Sequence, residues 1–125
     1  MSMDIVSDAL NQIMNAKRVG KKNVLIGRKS KLLINLFGTM KVRGYINFQE
    51  DEDGRSVHVE ILKLNECRAV KPRYFINSSN IEKYLRRFLP SRKFGNLIVS
   101  TNKGLLDQHE VVANKIGGAI IAYFY

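Results

Sequence analysis

A chain of 125 residues is long enough for one domain or two small lobes, and a hydrophobic share of 45% excludes a disordered segment. Its 21 lysines and arginines stand against 11 aspartates and glutamates, a net charge of +10 that points to a polyanionic partner, nucleic acid before an anionic membrane. No apolar run approaches the roughly 20 residues that span a bilayer. The opening "MSMDIVSDAL" lacks the basic-then-apolar pattern of a secretory leader. Cys67 is the one cysteine, which excludes an internal disulfide and points to a reducing, intracellular compartment.

In chain order, the spacing of Ile5, Val6, Ala9, Leu10 and Ile13 predicts a helix over residues 4–16. A break at Gly20, a short strand "NVLI" and a second break at Gly27 follow. Ser30 is placed to cap a second helix whose inner face is Leu32, Leu33, Leu36, Phe37 and Met40, with Gly44 at its C′ end. "YINFQ" and "SVHVEIL" alternate with period two around Asp53-Gly54, a hairpin signal. Beyond Asn65, "RAVKPRYFI" reads as a strand with Pro72 at an edge or bend. Ser79 and Glu82 have the spacing of a capping box for a helix carrying Ile81, Tyr84, Leu85 and Phe88. "NLIVS" reads as a buried strand. Residues 104–113 read as a turn and a short helix with Asp107 as its cap. Gly117-Gly118 then separate this from a closing strand, "AIIAYFY". The expected fold class is α+β in two small lobes: residues 1–64 as α-β-α-β-β, and residues 65–125 as mostly β with short helices.

Enzyme readings find little support. No Walker-type phosphate loop is present, and "GRKSK" lacks the leading glycine. His58 falls on the solvent side of a strand. Ser100, Asp107 and His109 allow a Ser/His hydrolase to be imagined, but no G-x-S-x-G elbow accompanies them. One cysteine and two separated histidines do not make a metal centre. The "EDED" run reads as a solvated hairpin tip. No catalytic residue, metal, cofactor or small-molecule substrate is expected.

The nucleic-acid reading rests on where the charge lies. Residues 1–43 carry +7 and residues 68–103 carry +8, while residues 44–67 carry −4. Lys17, Arg18, Lys21, Lys22, Arg28, Lys29 and Lys31 flank the first strand and suit phosphate neutralisation. Lys71 and Arg73 surround Tyr74, whose ring could stack on an unpaired base. Arg92 and Lys93 precede the strand that ends in Ser100, Thr101, Asn102, Lys103 and Gly104. That segment offers short hydroxyl and amide groups, one charge and one glycine, all suited to close approach to RNA. From the residues alone, a general polyanion-binding basic protein remains the alternative.

Several stretches together resemble the small-subunit ribosomal protein family conventionally numbered eight, in its archaeal and eukaryotic branch, where the eukaryotic members are called fifteen-a. They are "DALNQIMNA" with "GKKNVLI", "SKLLINLFGTMKVRGYI", "LNECRAVKPRYF", "LPSRKFGNLIVST" and "GLLDQHEVVANKIGGAIIAYFY", in order and covering essentially the whole chain. The resemblance implies a two-domain α+β protein of the cytoplasmic ribosome. Such a protein binds a central-domain helix of small-subunit ribosomal RNA early in assembly, beside neighbouring ribosomal proteins and away from membranes. The family's Ser-Thr-Ser-x-Gly loop falls on residues 100–104, so its RNA-reading role is expected of Ser100, Thr101, Asn102, Lys103 and Gly104. Asn102 departs from the usual serine, and Val111–Asn114 lacks the basic residues of eukaryotic relatives. Ala119 stands where relatives often carry Lys or Glu. The mechanism expected is two basic blocks, 17–31 and 68–93, holding phosphates while the 100–104 loop reads bases.

Overall fold

The computed structural model describes residues 4–71, 73–91 and 94–125. The chain divides into two compact units that meet in sequence between Cys67 and Arg68.

In the first unit, helix α1 (Ile5–Arg18) starts at Asp4, whose carboxylate accepts from the Ser7 amide at 3.1 Å. This satisfies one of the donors a helix start leaves open. Its inner stripe is Val6, Ala9, Leu10, Ile13 and Ala16, and Lys17 and Arg18 close its last turn, where the helix dipole favours cations. Strand β1 (Asn23–Ile26) leads to helix α2 (Lys31–Val42), capped by the Ser30 hydroxyl on the Leu33 amide at 3.1 Å. Leu33, Leu36, Phe37 and Met40 are buried, while Leu32 is only half-buried at the margin. Gly44, at φ 82°, takes the left-handed turn past the helix end. Strands β2 (Ile46–Glu50) and β3 (Val57–Ile61) form the expected hairpin. At its tip the Asp53 carboxylate accepts from the amides of Arg55 and Ser56, and these hold its pKa below the ordinary range. The sheet order is β1-β3-β2, all antiparallel. Ile26, Ile46, Val57, Val59 and Ile61 are buried on one face. Full burial of each is worth about 1.5–3 kcal/mol relative to exposure.

The second unit is built on strands β4 (Cys67–Ala69), β5 (Phe75–Ile76), β6 (Asn96–Thr101), β7 (Gly104–Leu106) and β8 (Gly118–Phe124). Their order is β4-β8-β6-β7, with β5 also paired to β8. Helices α3 (Ile81–Phe88) and α4 (Gln108–Asn114) complete it. Leu97 and Val99 of β6 and Ile120 of β8 pack with Ile81, Leu85, Leu89 and Val111 in one core. Such an architecture, with helices segregated from antiparallel sheets, is α+β, as the sequence predicts.

Three local expectations are corrected. The single strand expected over residues 68–76 is two short strands. The Val70 amide still donates to Ile121 and the Tyr74 carbonyl accepts from Ile120, so both flanks meet β8; Pro72 lies outside the described residues. The Ser79–Glu82 capping box does not form. Asn77 Oδ1 accepts from the Ser79 amide and hydroxyl and from the Asn80 amide, which draws Ser79 into a side-chain-closed turn. Helix α3 therefore starts at Asn80 without a side-chain cap bond. Residues 104–106, expected as a turn, are strand β7, because the chain reverses tightly at residues 102–103 and pairs back onto β6.

Candidate nucleic-acid interface

The Ser100–Gly104 segment is the end of a β-hairpin. Thr101 pairs with Gly104, so Asn102 and Lys103 form a two-residue tip, and both are exposed. Gly104 has φ 101°, a conformation that a side chain would strain. The Thr101 hydroxyl donates to the Gly104 carbonyl at 2.8 Å and accepts from the Lys103 amide at 3.1 Å. Its one donor and one of its two lone pairs are thus spent inside the turn. Ser100 pairs with Leu105 on one side and Ala119 on the other, so its backbone is held by two neighbouring strands. Gly118 presses against it: a Cβ there would stand 2.1 Å from the Ser100 carbonyl oxygen.

The base of the hairpin is equally fixed. Asp107 caps α4 by accepting from the Glu110 amide at 2.9 Å, and the Glu110 carboxylate accepts from the Asp107 amide at 3.2 Å, a full capping box. Gln108 is 2% exposed; it accepts from the Leu97 amide at 3.0 Å and donates to the Gly95 carbonyl at 2.9 Å. The start of α4 is thereby tied to the start of β6. Asn96 Nδ2 reaches the other Asp107 carboxylate oxygen at 3.5 Å. With one oxygen on a helix amide and the other on an amide side chain, Asp107 is structural, while His109 is exposed on α4. The result is a rigid stem presenting Asn102, Lys103 and the backbone of Gly104, a surface able to hydrogen-bond base edges and hydroxyls at little cost in ordering.

The basic residues of the first unit lie at the two ends of β1. Lys17, Arg18, Lys21 and Lys22 precede it and are exposed; Arg28 and Lys31 follow it and are also exposed. Lys29 differs: it is half-buried and ion-paired with Glu50. In the second unit Lys71 and Arg73 are exposed on the connector between β4 and β5. Tyr74 is not a free stacking platform. Its ring lies 5.4 Å from that of Tyr84, and the Arg87 guanidinium sits 5.0 Å from its centroid. Of the adjacent pair, Phe75 is the exposed ring, at 81%. Arg92 and Lys93 lie outside the described residues. Lys83, Arg86 and Arg87, exposed on α3, are three further cations that the sequence expectation does not name. Their i, i+3 and i+4 spacing on a helix with Ile81 and Leu85 buried opposite is the signal that could have found them. Among the described residues no group of three His, Cys, Asp or Glu side chains could hold a metal ion, and no helix is long and apolar enough to cross a membrane.

The comparisons agree in one direction. Residues 4–125 match the model of the family described as Ribosomal protein S8. A small ribosomal subunit protein uS8 of Nanoarchaeum equitans is 40% identical, with all of both chains covered. That of Methanococcoides burtonii is 39% identical over 98% of each chain. That of Neurospora crassa is 37% identical over 97% of this chain and 96% of its own. The chain belongs to the ribosomal protein S8 family, whose members are structural, non-enzymatic components of the small ribosomal subunit.

Proposed function

We propose that this protein binds a central-domain helix of small-subunit ribosomal RNA directly, early in assembly, in the cytoplasmic ribosome. The observation that carries the reading is the β6–β7 tip. It is an exposed, braced, two-residue turn of polar character, occupying the family's loop position in a chain of net charge +10. Asn102 and Lys103 supply hydrogen bonds and charge, Gly104 permits close approach, and Ser100 and Thr101 set the backbone. Lys17, Arg18, Lys21, Lys22, Arg28 and Lys31 neutralise phosphates, as do Lys71, Arg73, Arg92 and Lys93, which releases counterions. Lys29 contributes after it leaves Glu50, and Tyr74 contributes its edge. The remaining proteins of the subunit are its other neighbours.

A filter-binding titration tests this, with the full chain against a central-domain RNA fragment and a scrambled duplex of equal length. Preference for the fragment is expected. Equal affinity for both would leave only a general polyanion binder.

A further inference from the structure

The first unit's sheet has one buried face and one open face. Alternation along β3 sends Val57, Val59 and Ile61 inward and His58 and Glu60 outward. Register completes the open face in two cross-strand rows: Asn23, Glu60 and Asn47 in one, Leu25, His58 and Gln49 in the other. All six side chains are exposed, Leu25 by 52%. These rows contain three amides, one carboxylate, one imidazole and one leucine, and no lysine or arginine. Lys41 stands at the rim, over the Phe48 ring.

Four of the six residues, on β2 and β3, fall in the most acidic part of a basic chain, while Asn23 and Leu25 belong to the basic block before it. Residues 44–67 carry −4 against +7 and +8 in the blocks before and after. A surface meant for phosphates would not leave both of its central rows without a cation and put Glu60 among them, since like charges brought together cost several kcal/mol. Amide and carboxylate oxygens in cross-strand rows instead present acceptors, which suit guanidinium and ammonium donors. Leu25 offers the apolar contact along which the stems of Lys and Arg can lie. Proteins that share a particle with RNA are themselves basic, so a cationic protein segment is the neighbour of matching chemistry.

We infer that the open face of the β1-β3-β2 sheet docks a Lys/Arg-rich segment of another small-subunit protein. This rests on the proposed place of the chain in the subunit, and adds a protein-facing surface to its RNA-facing ones.

The test uses the full chain carrying a benzophenone amino acid at Gln49, assembled into small subunits that are purified and irradiated. Cross-linked peptides identified by mass spectrometry are expected to come from a Lys/Arg-rich protein segment. Cross-links to ribosomal RNA alone, or none at all, would overturn the assignment. In parallel, a Gln49→Lys, Glu60→Lys double variant is expected to be retained roughly tenfold less well in salt-washed subunits, with its affinity for the RNA fragment not lowered. Unchanged retention, or a lowered RNA affinity, would contradict it. A wild-type chain that binds neither the fragment nor the subunit would instead sink the RNA-binding reading, and this one with it.

Discussion

The Thr101 hydroxyl donates to the Gly104 carbonyl at 2.8 Å and so closes the turn whose tip is Asn102 and Lys103. The same oxygen accepts from the Lys103 amide. Thr101 is therefore a positioning residue. We expect Thr101→Val, which keeps shape and removes the hydroxyl, to lower the stability of the free protein by about 1 kcal/mol. Thr101→Ser should restore most of it. Urea unfolding without RNA reads this directly; a Thr101→Val protein as stable as the wild type would show that the brace is absent.

Two glycine-to-alanine changes should have opposite signs. At Gly118 a Cβ would meet the Ser100 carbonyl oxygen, a backbone atom in a strand paired on both sides. Gly118→Ala should cost about 1–3 kcal/mol. Gly38 lies inside α2, and a Cβ added there would have open space for 4 Å around it. Gly38→Ala should stabilise by roughly 0.5–1 kcal/mol, through the lower backbone entropy lost on folding. Thermal unfolding of the two variants beside wild type decides the matter.

Asp107 joins the hairpin to α4. Removing its carboxylate in Asp107→Ala takes the cap from the Glu110 amide and the acceptor from buried Asn96. A loss of about 2 kcal/mol is expected, the upper end for a helix cap. Asp107→Asn should retain most of the stability, because it keeps an acceptor oxygen. Equal loss in both variants would mean that the charge, not the cap, matters.

The basic residues should separate by their present partners. Lys21→Ala and Arg28→Ala should each lower the salt dependence of RNA binding by about one unit of slope, the signature of one lost phosphate contact. Lys29→Ala should change the slope less, because Lys29 has to leave Glu50 before it can meet a phosphate. A plot of log affinity against log salt for the three variants gives the comparison.

Where the sequence was read well, a single local rule governed. Asp107 and Ser30 are caps because each has an oxygen three residues from a waiting amide. The β2–β3 hairpin follows from alternation around Asp53-Gly54. Where rules competed, the reading failed. Ser79 matches a cap by spacing, but Asn77 is nearer and takes its hydroxyl. The segment "GLL" has no turn-breaking residue after Gly104, and its pairing with β6 is a matter of hairpin geometry. The polar tip was visible as composition, whereas the role of Thr101 depends on two hydrogen bonds that close only once the strands pair. Gln108 gave no signal at all, since its partners are the backbones of Gly95 and Leu97, more than ten residues away.

The most direct measurement is the affinity of wild type and Asn102→Ala for the central-domain RNA fragment and the scrambled duplex, at one salt concentration. A base-reading tip predicts that wild type prefers the fragment. It also predicts that Asn102→Ala loses about 1–3 kcal/mol on the fragment and almost nothing on the duplex. Equal loss on both RNAs, or none on either, would contradict a tip that reads RNA.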